Sequence, residues 1–308
     1  MTDKLRVRVP ATTANLGPGF DALGLALDLW NEAEFTVQAD NRIIVRLTGE
    51  GADVLPSDEH NLIAQAALHV FALADEPPPG LQIDCRNRIP LASGMGSSAA
   101  AVLTGVLGAN ALLGGRFDQQ ALLKLAVQIE GHPDNVAPAL LGGLVVCLAD
   151  GEGVHARQLP PLENRNPINI TLVLPEFDFP TQGARSVLPA QVDRSDAVFN
   201  LSRAVLVAEA LRTGDLDLLG TAMEDRLHQP YRLSLIPGAL GAMEAAKSAG
   251  AAAVALSGAG PSLAAFSAQH NPAIGEAMQR AFAAAGLPAR VFELMPSQAG
   301  AKVVNLRD

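Results

Sequence analysis

Residues 90–105, PLASGMGSSAAAVLTG, set two glycines and three serines directly ahead of a run of small apolar residues. The alternating stretch LQIDC at residues 81–85 predicts a strand before them, and the Ala-rich continuation predicts a helix over about residues 98–112. Gly94 and Gly96 admit positive φ angles and close backbone approach. Successive N–H groups can then converge on an anion at the helix N-terminus, where the macrodipole also favours negative charge. Phosphate is the guest such a loop suits. Two readings of Ser97 and Ser98 stay open: they cap the helix, or a hydroxyl reaches a phosphate or its metal. No Gly-Lys-Ser/Thr follows, so the loop is not of the Walker type.

A second glycine-rich turn, SGAGPS at residues 257–262, lies between two apolar strands; alone it reads as a tight strand connection or as part of a binding site. Downstream of the first loop, a helix over about residues 118–130 carries Leu122, Leu125, Ala126 and Ile129 on one face and ends on Glu130. A carboxylate there meets the negative end of the macrodipole, at a cost of roughly 0.3–1 kcal/mol. A divalent cation would compensate it, held by one carboxylate, phosphate oxygens and water; a solvated surface Glu is the plainer alternative. His132, Asp134 and Asn135 crowd into the following turn, where Asp134 or Asn135 also suits a helix cap. Near the start, PATTANLGPGFDALG places Asn15 and Asp21 in a Gly-Pro-Gly loop, and Arg185 and Arg232 fall in loops of the second half.

The bulk numbers narrow the function. A net charge of −10 is opposite in sign to the basic surface that nucleic-acid binding requires, so a small-molecule partner is expected. Cys85 and Cys147 sit in apolar alternating segments without metal-ligand spacing, which suits a reduced, cytoplasmic protein. The charged start MTDKLRVRVP has no apolar signal region, so the mature chain is expected to begin there. The charge-free segments 91–115 and 249–270 are broken by Gly, Ser, Asn or Pro and are not expected to span a membrane.

Along the chain, strands crowd the first third, and a helix is expected over residues 61–73. The pattern dissolves between residues 150 and 167, read here as a crossing between an N-terminal domain, 1–160, and a C-terminal domain, 161–308. Past that crossing the reading gives a strand at residues 169–175 and three helical stretches between residues 199 and 249. Two apolar strands, a helix after Pro272 and a last strand at residues 289–295 complete it. Strands and helices without strict alternation predict α+β domains.

Taken in order, PATTANLGPGFDALG, PLASGMGSSAAA, EGHPDNVAPALLGG, HQPYR and SGAGPS resemble the GHMP kinase superfamily over nearly the whole chain, and within it the homoserine kinases. The resemblance implies a ribosomal-protein-S5-like N-terminal domain and a ferredoxin-like C-terminal domain. It implies ATP-dependent phosphorylation of the L-homoserine hydroxyl, for threonine biosynthesis, by a homodimer using Mg2+. By position, Pro90, Ala92, Ser93, Gly94, Met95, Gly96, Ser97 and Ser98 would wrap the triphosphate, with Asn61 at the adenine and Ser98 and Glu130 on the metal. Substrate contacts would come from Asn15, Asp21, His132, Asn135, Thr181, Arg185, Arg232 and Gly258. The catalytic set would be Asp21, Asn135, Ser98 and Glu130. Asn135 stands where mevalonate kinase and galactokinase carry a catalytic aspartate, and an amide is no general base. The loop from Glu130 to His132 is also shorter than in some homoserine kinases. A kinase for another alcohol, such as mevalonate, and a non-catalytic nucleotide binder are the rival readings.

Overall fold

The first strand, β1 (Lys4–Ala14), shows how the sequence builds the first sheet. Leu5, Val7 and Val9 point inward at period two, while Arg6 and Arg8 face out and pair with Glu34 and Glu32 of β2 (Leu23–Gln38). The register shifts between Pro10 and Thr12, and beyond it every β1 residue is buried. This computed structural model describes residues 4–150, 153–163, 166–177, 179 and 183–306.

The first half continues through β3 (Ile43–Gly49), α1 (Leu62–Leu73), β4 (Gly80–Asn87), α2 (Ser97–Leu112), α3 (Gln119–Glu130), α4 (Pro133–Leu141), β5 (Leu144–Asp150) and β6 (Gly153–Leu159). The sheet runs β11-β1-β2-β4-β3, where β11 is the strand Lys302–Asn305 near the end of the chain, and β5 pairs β2 and carries β6. α2 is buried almost all round, and its small residues explain how. A Cβ at Gly105 would lie 2.1 Å from Ile63 O of α1, and one at Gly108 would lie 2.5 Å from the Phe35 ring of β2. The loop ahead of α2 is thus anchored on a helix wedged between α1 and the sheet.

The second half adds β7 (Asn169–Pro175), α5 (Gly183–Ser186), α6 (Arg194–Thr213), α7 (Leu216–Ala222), α8 (Gln229–Arg232), α9 (Ala239–Ser248), β8 (Ala253–Leu256), β9 (Leu263–Ser267), α10 (Pro272–Ala284), β10 (Ala289–Leu294) and β11 (Lys302–Asn305). Its antiparallel sheet has the order β10-β7-β9-β8, the split βαβ arrangement of ferredoxin-like domains. Along β9 the side chains alternate between two cores. Leu263 and Ala265 join α9 and α10, whereas Ala264 and Phe266 join a cluster continuous with the first sheet. The larger of the two cores is therefore shared by both halves of the chain.

Two departures from the sequence reading concern the crossing. Residues 153–159 form a hairpin strand, with Cys147 opposite Ala156, which shortens the irregular passage. The inward Val154 carried that strand's signal, masked by flanking charge and proline. β11 returns to pair with β1, Leu5 opposite Asn305, so the last strand completes the first sheet. No helix among the described residues is long and apolar enough to cross a membrane.

Candidate active site

The loop before α2 is a backbone zigzag, with Ala92, Gly94 and Gly96 at φ values of 48°, 78° and 72°. Gly96 is the N-cap of α2, and no side chain closes the helix. The serine hydroxyls go elsewhere. Ser98 Oγ donates to Glu130 Oε2 at 2.7 Å, Ser97 Oγ leans toward Ile89 O, and Ser93 Oγ donates to Pro90 O at 2.8 Å. A helix start with no side-chain cap on its N–H groups is suited to an anion.

The second glycine turn buttresses the first. Ser257 Oγ donates to Gly94 O at 2.7 Å, and a Cβ at Gly94 would lie 2.2 Å from Ser257 O. Gly96 is as confined, since a Cβ there would lie 2.1 Å from Thr12 Oγ1. That hydroxyl donates to Asn135 Oδ1 at 2.8 Å, which fixes the amide's orientation. Asn15, at φ 68°, ties the N-terminal loop to both neighbours: its Oδ1 accepts from the Asp21 amide and its Nδ2 donates to Gly258 O.

These segments enclose a cavity of about 760 Å³. Its walls include Asn15, Asp21, Ala92, Ser93, Gly94, Gly96, Ser97, Ser98, Glu130, His132, Asp134, Asn135, Arg185, Arg232 and Gly258. An adjoining cavity of about 250 Å³ shares Leu62, Ala92, Ser97 and Ser98 and has a mainly apolar lining that includes Leu47, Leu55 and Ala101.

Asn61 lines the smaller cavity, where its side chain is engaged as the N-cap of α1: its Oδ1 accepts from the Ile63 amide and its Nδ2 donates to Pro56 O. Other expected residues sit apart. Met95 is fully buried, and its amide donates to Ser93 Oγ, so it faces neither cavity. Pro90 lines a separate crevice beside Glu50 and Arg290. Thr181 lies outside the described residues. The expected helix cap at Asp134 or Asn135 is also displaced, because α4 begins at Pro133 with His132 in the cap position.

The sequence reading gave Asp134 only a capping role. It is instead a cavity-wall carboxyl, 3% exposed, which accepts a long hydrogen bond from Asn135 Nδ2 at 3.4 Å. Burial pushes its pKa up to about 7, Asp21 adds to that, and Arg185 and Arg232 oppose it. Only its place beside Asn135 marked it in the sequence. Burial likewise raises Glu130, with the Ser98 hydroxyl pulling the other way. His132 falls below the ordinary imidazole value through burial and the nearby Arg185. Arg185 donates to Asp21 Oδ1 at 2.8 Å, a bond between the two halves of the chain. Arg232, 2% exposed, donates from Nε to Ala184 O.

The uncapped start of α2 and the guanidinium groups of Arg185 and Arg232 line one cavity, an arrangement that suits an anionic ligand. The chain matches the GHMP kinases N terminal domain over residues 61–143 and the GHMP kinases C terminal domain over residues 207–284. It belongs to the GHMP kinases. It is 49% identical to a homoserine kinase of Moorella thermoacetica, over 97% of this chain and 99% of that protein. A homoserine kinase of Carboxydothermus hydrogenoformans is 41% identical over 96% and 95%. Among solved structures, the homoserine kinase from Cytophaga hutchinsonii superposes with a TM-score of 0.87 at 32% identity, covering 99% of this chain and 98% of that one. Within the GHMP kinases the chain therefore belongs with the homoserine kinases. A mevalonate kinase shares the fold at TM-score 0.71 but only 14% identity.

Proposed function

We propose that this chain transfers the γ-phosphoryl group of ATP to the side-chain hydroxyl of L-homoserine, giving O-phospho-L-homoserine. The observation that carries the reading is the single cavity in which the uncapped start of α2 meets Asn15, Asp21, His132, Asn135, Arg185 and Arg232. The glycine loop suits a triphosphate, and the apolar neighbour cavity beside Leu62 suits its base. The two guanidinium groups suit an amino-acid carboxylate, which each grips through paired N–H donors.

Ser98 and Glu130 fit Mg2+. They are hard oxygen donors 2.7 Å apart, and Glu130 is a desolvated carboxylate at a helix C-terminus with no ion pair among the described residues. Ser98 and Glu130 would hold the ion where it would neutralise phosphate charge. Catalysis then rests on positioning. Thr12 orients Asn135, whose amide is no general base, and Asp21 orients the acceptor hydroxyl. The hydroxyl proton leaves late, to the transferred phosphoryl group. A loss of only a few-fold in Asp21→Asn supports this; a loss of several orders of magnitude makes Asp21 the base.

Two finer statements belong to the same proposal. The exposed stripe Val198, Leu201 and Val205 along α6 supports a homodimer, which light scattering tests: a monomer at micromolar concentration removes that statement. Cys85 and Cys147, both buried free thiols, support a cytoplasmic location. The deciding experiment for the activity is ADP release with L-homoserine, mevalonate and galactose side by side. Turnover confined to homoserine is expected; preference for mevalonate, or nucleotide binding without turnover, overturns the proposal.

A further inference from the structure

His228 is fully buried where the two halves of the chain meet. Its Nε2 lies 2.8 Å from Gly17 O in the N-terminal loop, and its Nδ1 lies 3.3 Å from Arg232 Nη1. A carbonyl only accepts and a guanidinium only donates, so the two contacts require one protonation state. Nε2 carries the hydrogen, Nδ1 offers its lone pair, and the ring is neutral. Phe20, next to Asp21, stacks on the ring with centroids 5.1 Å apart and planes at 25°.

The groups around the imidazole agree with that state. Asp225 Oδ2 lies 3.5 Å from Nε2, but Asp225 is occupied by the amides of Leu227, His228 and Gln229 and by Asn200 Nδ2. Burial holds the His228 pKa below the ordinary value. Arg232 acts in the same direction, and Asp225, Gly17 and Asp21 act against it. Arg232 is held on two sides, from Nε by Ala184 O and from Nη1 by His228, and makes no salt bridge among the described residues.

A satisfied buried histidine is usually just part of a core. This one differs in what it holds: a cavity-wall cation at one end and the loop bearing Asn15 and Asp21 at the other. A carboxylate in its place would aim Arg232 equally well but would neutralise it, competing with any anion in the cavity. A neutral acceptor orients the guanidinium and leaves its charge unspent. We infer that His228 is a positioning residue of the acceptor site, holding Arg232 against the N-terminal loop as a neutral Nε2–H imidazole so that the guanidinium meets the substrate carboxylate. This rests on the homoserine reading of the cavity.

Two variants separate the two contacts. His228→Gln retains a donor near Nε2 for Gly17 but no acceptor near Nδ1; the KM for homoserine should rise about tenfold, as for one charge-assisted hydrogen bond, with the KM for ATP unchanged. His228→Asn places an amide oxygen near Nδ1 and should recover most of that loss. In the wild type, homoserine KM should also rise below the ordinary imidazole pKa, where protonation turns Nδ1 from acceptor to donor against Arg232. The Gln variant should lack this acid limb. Nitrogen-15 NMR of the wild-type protein, without substrate, reads the tautomer directly. A folded Gln variant with wild-type homoserine KM, equal rises in both KM values, or a charged or Nδ1–H ring at neutral pH overturns the inference. If the Gln variant does not fold, the Asn variant and the NMR spectrum decide. Wild-type protein that leaves homoserine unphosphorylated defeats the functional reading instead, and the NMR result still stands.

Discussion

The two sides of the cavity are built by different means. On the proposed phosphate side, Gly94, Gly96 and the open start of α2 present main-chain groups, and the neighbouring hydroxyls of Ser93 and Ser257 serve to shape the loop. On the proposed acceptor side, side chains bond to the main chain of segments more than 200 residues away, His228 to Gly17 O and Asn15 to Gly258 O. A backbone site depends on the room a missing Cβ leaves, so one methyl group can ruin it. A side-chain site spreads its tolerance over several bonds, so losing one member weakens one substrate. The contrast predicts graded sensitivity.

Gly96→Ala attacks the backbone side and should do most damage. The new methyl group would lie 2.1 Å from Thr12 Oγ1 and 3.2 Å from Asn135 Oδ1, at a φ of +72° that L-residues avoid. A loss of about 10³ in kcat/KM for both substrates is expected, since displacement of about 1 Å at a reacting centre costs on the order of 10² by itself. Steady-state kinetics with circular dichroism as the folding control checks it; a folded variant within tenfold of wild type would refute the backbone account.

Arg185→Ala attacks the side-chain side. It removes the Asp21 partner as well as one guanidinium, so homoserine KM should rise about 10²-fold, the scale of breaking a charged hydrogen-bonded pair. ATP KM should stay within about twofold. Equal changes in both would mean that the two sides are not separable. Glu130→Gln tests the junction between them. It should raise the Mg2+ concentration for half-maximal rate about tenfold, through loss of one ligand charge; an unchanged Mg2+ titration would remove Glu130 from the proposed metal site.

The same contrast explains what the sequence disclosed. The glycine loop before α2 was legible because its requirement is local: glycines at fixed offsets, a strand before and a helix after. The longer helices were legible too, although α6 starts earlier than expected, at Arg194. β6 was not, because Val154, Ala156 and the terminal Leu159 are its few apolar side chains on the core, amid charged and proline-rich neighbours. The acceptor side is legible only as separate motifs. That Arg185 meets Asp21, or that His228 reaches Gly17, depends on pairing distant segments, which no local period encodes. Asp134 was missed for a related reason: in PDN it is an ordinary helix-start residue, and only the tertiary packing of α4, against β1, β2 and β5 and beside α2 and α3, buries it.

That burial yields the smallest predicted effect and the one with a pH signature. Asp134 titrates near 7 in the folded chain, above its ordinary value of 3.8, so the native state holds this proton more tightly than the unfolded chain does. The stability it contributes is complete below pH 4 and drains away as pH rises toward 7, where an ionised carboxylate must stay buried. Asp134→Asn cannot undergo that loss. It also forgoes the attraction of Arg185 and Arg232 and must bury an amide, so the gain at pH 8 should be about 1 kcal/mol, well below what the full shift represents. Urea unfolding at pH 5 and pH 8 measures it: the variant's advantage should grow between the two. An advantage independent of pH would mean that Asp134 is already ionised at pH 5, and that Arg185 and Arg232 outweigh burial in setting its charge.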